Sequence, residues 1–245
     1  MHPIDSPAML CHLIVRPQSR QALDAAFAAR PDQLIVDFTD VEPGAEALGY
    51  AFVTEAIAAS TERPHLYARI PAFARPQAAD LLDRAVKSGV DGILMQGATG
   101  GYDATWLDAR IAVAEAVHGR RDGEVGMIVE ATGSAAAIFG LASYRGASQR
   151  LAGLVFTADD LATSLRLGAL DAEGHWRPAF AHARTQAMLA AAAAGVMAID
   201  GARMGPTSDL PLAAAIATAR SDGFVALLTD RIADAEELGR AGAVV

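Results

Sequence analysis

The stretch Val125-Gly126-Met127-Ile128-Val129-Glu130 is followed by a helical run, Ser134–Tyr144, and then by Leu154-Val155-Phe156-Thr157-Ala158-Asp159-Asp160. Apolar run, amphipathic segment, apolar run is the pattern of a parallel βαβ unit. The first apolar run finishes on Glu130 and the second on Asp160. Neighbouring strands lie roughly 5 Å apart, so the two carboxylates are expected side by side at one rim of a sheet. A single divalent cation can bridge them there.

The same alternation continues in both directions. Further strand candidates are Cys11–Val15, Gln33–Phe38, His65–Ile70, Gly92–Met95, Val196–Ile199 and Phe224–Leu228, with the central pair read as Val125–Val129 and Gly153–Phe156. Helical segments are expected at Arg20–Ala29, Ala45–Ala59, Ala78–Ser88, Thr105–His118 and Ser134–Tyr144. Others are Asp160–Leu167 extended by Pro178–Ala194, Leu210–Ser221 and Ile232–Ala241. Gly89, Gly195 and Gly223 stand where helices should stop. Strict alternation of eight strands with eight helical segments in 245 residues predicts a single (β/α)8 TIM barrel over residues 1–245. An open doubly wound sheet would show a glycine fingerprint after its first strand, and Val15-Arg16-Pro17-Gln18-Ser19 has none. Gly168–Arg177 breaks the rhythm and reads as a longer loop in the sixth unit.

Charge and composition narrow the function. Net charge is −9 with no basic cluster, which argues against a nucleic-acid partner. No run of 18 apolar residues appears, and Met1-His2-Pro3-Ile4-Asp5 lacks the features of a signal peptide, so a soluble cytoplasmic protein is expected. The lone cysteine, Cys11, excludes an internal disulfide and reads as a buried small hydrophobe. Lys87 is the only lysine and falls at a helix end before a strand. Neither a Walker A lysine nor a Schiff-base lysine at a strand's carboxyl end is left.

Chemistry in such barrels sits where strands end. The strand ends supply Asp37 with Asp40 behind it, Arg69, Gln96 followed by Gly97, Gly100 and Gly101, Glu130, Asp160, Asp200 and Asp230. Glu130 and Asp160 form an oxygen donor pair suited to Mg2+, and no His or Cys joins them, which argues against zinc. Arg69 can hold a substrate carboxylate with its planar fork. Metal plus arginine suits a 2-keto acid such as oxaloacetate, glyoxylate or pyruvate. Each acid also has a plainer reading: Asp160 before Leu161-Ala162-Thr163 fits a helix N-cap, Arg69 fits a structural ion pair, and Asp37 and Asp40 fit solvated loop acids. The six histidines show no metal-ligand spacing. His175 and Trp176 sit in the sixth-unit loop, as a cover for the site or as a solvated loop. The glycines around Thr99 are a weak phosphate signal.

Several of these segments resemble the HpcH/HpaI aldolase and citrate lyase β-subunit superfamily, especially its citrate-lyase-β-like branch. His12-Leu13-Ile14-Val15-Arg16-Pro17 looks like its first strand, and Leu34-Ile35-Val36-Asp37-Phe38-Thr39-Asp40-Val41 with Pro43-Gly44 is similar to its second. Tyr67-Ala68-Arg69-Ile70 looks like the strand carrying its substrate arginine. Ile128-Val129-Glu130 and Gly153–Leu161 look like its two Mg2+-ligand segments, and Ala193–Asp200 like its seventh strand. The resemblance implies a Mg2+-dependent carbon–carbon lyase or aldolase acting on a carboxylated hydroxy or keto acid, free or as a CoA thioester. It implies a homo-oligomer such as a trimer. By motif, Glu130 and Asp160 carry the metal and Arg69 binds the keto-acid carboxylate. The residues themselves add Gly97 as a substrate-binding candidate and Asp37 or Asp40 as the group that orients metal-bound water. The pattern departs from the family at Thr39, Gln96, Gly97, Thr99 and the Ala131-Thr132-Gly133-Ser134 and Ala226–Asp230 segments. The chain also stops at Val245, without the C-terminal segment used by CoA lyases. These departures support an alternative in which a catalytically silent member binds a metabolite or serves as a subunit of a larger assembly.

Overall fold

Asp37 stands opposite Arg69, and Gln33 opposite His65, where β2 (Gln33–Asp37) runs parallel to β3 (His65–Ile70). The register repeats around the sheet through β4 (Gly92–Met95), β5 (Gly126–Glu130), β6 (Leu151–Phe156), β7 (Met197–Arg203) and β8 (Ala226–Thr229). β8 then pairs with β1 (Leu10–Val15), Leu10 opposite Ala226, and closes an eight-stranded parallel barrel. This computed structural model describes residues 8–42, 44–59, 62–204 and 211–242. The expectations concerning Met1–Asp5, Pro43, Leu210 and Val245 fall outside the described residues.

Strand residues point alternately to two sides, and the two sides bury different partners. Ile14, Ile35, Tyr67, Leu94, Ile128, Val155, Ile199 and Leu228 fill the barrel interior. Their neighbours Leu13, Leu34, Leu66, Ile93, Val129 and Leu154 pack outward against the helices. Tyr67 needs room inside. Gly92 supplies it, because a Cβ there would run into the phenol ring, and one on Gly126 would stand 3.2 Å from the Tyr67 hydroxyl. Two residues beyond Ile35, Tyr67, Leu94 and Ile128, in the same inward phase, come Asp37, Arg69, Gln96 and Glu130. The pleat therefore delivers these four polar side chains to the carboxyl mouth of the barrel.

The outer layer consists of α1 (Arg20–Ala28), α2 (Ala45–Ala59), α3 (Ala78–Ser88), α4 (Gly101–Val117), α5 (Ala135–Gly140), α6 (Ala158–Leu165), α7 (Pro178–Ala194), α8 (Leu212–Ser221) and α9 (Ile232–Gly242). Ser19 and Ser134 cap α1 and α5 by accepting the N–H groups of Ala22 and Ala137. α3 and α7 end on left-handed Gly89 and Gly195. Nine α-helices stand among the described residues, against eight expected segments, because the sixth unit carries both α6 and α7. The loop between them is pinned by an antiparallel bridge from Leu170 to Trp176. Ser134–Tyr144 divides into α5 and a 3-10 turn, Leu141–Tyr144.

Two boundaries differ from the sequence reading in ways that matter. α4 begins at Gly101 rather than Thr105, because glycine lets its first turn press against that 3-10 segment. Gly101 N donates to Ser143 Oγ at 2.7 Å, and a Cβ at Gly101 would run into the Ser143 carbonyl. Gly100 and Gly101 thus serve close backbone packing. Secondly, α6 begins at Ala158 rather than Asp160, so Asp160 lies in its first turn and not at the end of β6, which closes at Phe156. The N-cap position belongs to Thr157. No helix among the described residues is long and apolar enough to cross a membrane.

Candidate active site at the carboxyl rim

Arg69 reaches across β4 to Glu130. Its Nε donates to Glu130 Oε1 at 2.6 Å and its NH2 to Oε2 at 3.0 Å. NH1 donates to Asp37 Oδ2 at 3.0 Å and lies 3.4 Å from Thr39 Oγ1. The other Asp37 oxygen accepts the Thr39 N–H and hydroxyl, at 3.0 and 2.7 Å. Arg69, Glu130 and Asp37 are all buried. An arginine has five N–H donors, and the contacts to Glu130, Asp37 and Thr39 engage four of them. One N–H remains, so in this arrangement the fork is not open for bidentate recognition of a further carboxylate.

The electrostatics follow from burial and charge count. Burial works against the Arg69 charge, but Glu130 and Asp37 outweigh it and the guanidinium pKa rises further. Burial pushes the Glu130 carboxyl above its usual range, against the pull of Arg69, and the charges of Asp160 and Asp37 add to the push. Three acids thus crowd the buried Arg69, and the exposed Arg16, 3.8 Å from Asp37, is the other cation close by. A divalent cation at this rim would offset the remaining negative charge.

Asp160 joins from the sixth unit. Gln96 Nε2 donates to Asp160 Oδ2 at 3.3 Å, and Gly133 leaves space beside it, where a Cβ would come within 3.3 Å of the Asp160 Cβ. The loop after β5 and the start of α6 are held in register by one hydroxyl. Thr132 Oγ1 accepts the Thr157 N–H at 2.8 Å and donates to the Thr157 carbonyl at 3.2 Å. Beside Asp160 opens a cleft of about 370 Å³ lined by Ala72, Arg75, Gln96, Gly97, Gly133 and Thr163, among others. Gly97, at φ +74°, turns the chain there in a conformation that favours glycine.

Of the residues singled out from sequence, Asp37, Arg69 and Glu130 are thus in direct contact. Asp160 and Gly97 line the adjoining cleft. Asp40 lies in the turn after β2 and is exposed. Asp200 is drawn to the outer side of the barrel, where Arg184 of α7 binds it through two hydrogen bonds of 2.8 and 2.9 Å. Trp176 packs edge-on against Phe156 and beside Arg184, while His175 is exposed. That loop anchors on the outer layer. Arg75, in the segment between β3 and α3, was not singled out from sequence. It is an exposed cleft residue with no side-chain partner among the described residues, and a loop arginine carries no periodic signal that would have revealed it.

Glu130 and Asp160 offer only oxygen donors, and each carboxylate oxygen bonded to Arg69 or Gln96 retains a second lone pair. Among the described residues no group of three or more His, Cys, Asp or Glu side chains could hold a metal. A pair of carboxylates completed by water and substrate oxygens is the donor set of Mg2+, which dehydrates reluctantly and accepts few protein ligands. The residues present fit that ion.

A parallel eight-stranded barrel with an arginine–carboxylate cluster at its carboxyl mouth defines the class of this molecule. The chain belongs to the HpcH/HpaI aldolase/citrate lyase family, whose profile matches residues 12–227. Among solved structures it is similar to Haloferax volcanii malate synthase in a magnesium/glyoxylate complex, with 18% identity, TM-score 0.75, and coverage of 100% of this chain and 77% of that one. It is also similar to the citrate lyase β subunit of M. tuberculosis complexed with oxaloacetate and magnesium, with 19% identity, TM-score 0.71 and coverage of 97% and 98%. RipC from Yersinia pestis matches with 19% identity, TM-score 0.70 and 96% coverage of each chain. No curated protein sequence matches.

Proposed function

We propose that the protein is a Mg2+-dependent carbon–carbon lyase or aldolase acting on a carboxylated keto or hydroxy acid. The observation that carries this reading is the convergence of Asp37, Arg69 and Glu130 in one buried network, with Asp160 beside it on an open cleft. Family membership and the magnesium complexes of the two similar structures support it.

Glu130 and Asp160 would hold the ion, which supplies Lewis acidity to a substrate keto oxygen and stabilises negative charge developing there. The chain's own residues do the rest. Arg69 fixes both oxygens of Glu130 in one orientation and keeps one N–H for a substrate oxygen. Asp37, locked by Thr39, holds the far side of the guanidinium and prevents it from swinging into the cleft. Asp40, exposed in the turn after β2, would orient a bound water from the rim. Arg75 faces the cleft as a free guanidinium and suits a second carboxylate, as in oxaloacetate. Use of a CoA thioester and assembly into a homo-oligomer such as a trimer belong to the same proposal, as does a cytoplasmic location.

The test is calorimetry of oxaloacetate and glyoxylate with and without Mg2+. Wild-type protein binds either acid only with the ion, and Glu130→Ala abolishes that dependence. Unchanged Mg2+-dependent binding in the variant sinks the assignment. A second reading, a binding member without turnover, is favoured by one observation. Among the described residues, Asp160 is the only carboxylate lining the cleft and no His, Lys or Cys lines it, so none of them supplies a base there separate from the metal ligands. Binding of both acids without consumption of any hydroxy acid or thioester would select it.

A further inference from the structure

Next to the polar cleft lies a second lobe of different chemistry. It measures about 350 Å³ and is lined by Phe73, Met95, Tyr102 and Trp106, among others. Ala72 and Gly97 belong to the walls of both lobes, so the two lie side by side at the mouths of β3 and β4. Phe73 and Trp106 meet edge to face, with centroids 5.6 Å apart and planes at 80°. Arg110, one turn further along α4, lies over the indole at 4.7 Å and over the Phe73 ring at 5.8 Å. The guanidinium therefore braces both rings from one side. The indole is 42% exposed and Tyr102 76% exposed, which is unusual for side chains of that size in a folded chain.

We infer that this lobe is a specificity subsite for a planar apolar group, an aryl substituent carried by the substrate. The inference rests on the reading of the polar lobe as a keto- or hydroxy-acid site. Adjacency across Ala72 and Gly97 lets one molecule span both lobes, with its carboxylate end toward Arg75 and Asp160 and its ring toward Trp106. The charge pattern selects against other tails. Among the described residues the charged side chains at the aromatic lobe are Arg110, whose guanidinium is spent on the Trp106 and Phe73 rings, and Asp103 in its wall, which Thr99 engages through N–H and hydroxyl at 2.6 and 2.9 Å. An acid there repels a phosphate or a second carboxylate, whereas an aryl ring stacks on aromatic walls at no electrostatic cost. The volume accommodates a substituted phenyl or a bicyclic ring.

A matched pair of 2-oxo acids tests this, 4-fluorophenylpyruvate against pyruvate, with binding followed by 19F line broadening and by calorimetry with and without Mg2+. The aryl acid is expected to bind about tenfold more tightly than pyruvate. Trp106→Ala should remove that advantage while leaving pyruvate unchanged, and Trp106→Phe should restore part of it. Equal affinity of the two acids in the wild type overturns the subsite and leaves the proposed reaction standing. Aryl binding that needs Trp106 but is indifferent to Mg2+ keeps the subsite and overturns the proposed reaction. Val113 and Val117 continue the apolar stripe along α4, at 62% and 67% exposure. Sedimentation therefore completes the test: a concentration-dependent dimer abolished by Trp106→Ala would show that a second copy covers this face, and the substrate assignment would fall.

Discussion

Arg69 and Glu130 are bound fork to fork across an intervening strand, Nε to Oε1 at 2.6 Å and NH2 to Oε2 at 3.0 Å, with both side chains buried. Breaking a buried pair by removing one partner costs about 3–5 kcal/mol. Asp37 still holds the guanidinium in Glu130→Ala. The expected destabilisation is therefore at the low end, about 3 kcal/mol. Urea denaturation measures it, and a midpoint equal to wild type would show that the pair contributes nothing. Arg69→Lys should cost nearly as much, since an ammonium cannot reproduce two parallel hydrogen bonds.

Arg75 separates substrates by their number of carboxylates. Arg75→Ala should weaken oxaloacetate about tenfold, on the order of 1.4 kcal/mol, and leave glyoxylate unchanged. Because the side chain is exposed and has no partner among the described residues, stability should stay within about 0.5 kcal/mol of wild type. Equal losses for both acids would place Arg75 elsewhere in the binding mode.

His12 lies on β1 opposite Gln33 and is 1% exposed, and its Nε2 has no hydrogen-bond partner among the described residues. Burial pulls its pKa down to about 4 from the ordinary 6.5. Below 6.5 the unfolded chain takes up a proton that the folded protein refuses until about 4. Stability is thus fully present above that window and falls as pH drops through it, by about 3 kcal/mol for this one group. His12→Leu should flatten the denaturation midpoint between pH 6.5 and 4 relative to wild type. An identical pH profile would refute the role of His12.

Arg184 is the pin of the outer layer. It binds Asp200 twice and Asp222 at 2.7 Å, and its guanidinium lies about 5 Å from the rings of Phe156, Trp176 and Phe224. Arg184→Ala leaves Asp200 buried without its counter-charge, for an expected loss of about 3–5 kcal/mol. Arg184→Ala with Asp200→Asn should recover part of it. Additive losses in a double-mutant cycle would show that the two residues are not coupled.

Cys11 is 3% exposed and burial pushes its thiol up to about 12, with Asp32 and Asp234 adding to the rise. Iodoacetamide at pH 8 should leave the native protein unmodified and react once urea unfolds it. Rapid native alkylation would contradict the burial.

The barrel was legible in the sequence because its cause is local. Runs such as His65–Ile70 and Gly92–Met95, and helices such as Ala45–Ala59 and Ala78–Ser88, have the observed boundaries, since β-type runs, helical periods and glycine stops lie within a few residues of one another. Asp37, Arg69 and Glu130 were legible as strand ends for the same reason. That Arg69 spends its fork on Glu130 was not, because the partners sit two strands apart and only barrel curvature brings them together. The sequence reads Asp160 as the strand-six end or as a helix N-cap; the helix starts two residues earlier, at Ala158, because Thr157 takes the N-cap position, which puts Asp160 in its first turn. Asp200 looked like its companions at the rim, yet the phase of β7 turns it outward to Arg184. The aromatic lobe draws Phe73 from a loop and Tyr102 and Trp106 from a helix, a combination with no periodic signature.

The seam at which Leu10 meets Ala226 has a bearing on how the chain is made. Its two halves come from opposite ends of the sequence, so during synthesis the outer edge of β1 and the free edge of β7 wait as unpaired backbone until β8 leaves the ribosome. Such edges are templates for association between nascent chains. Substitutions that slow the docking of β8 should therefore reduce soluble yield far more than they lower the stability of the finished barrel.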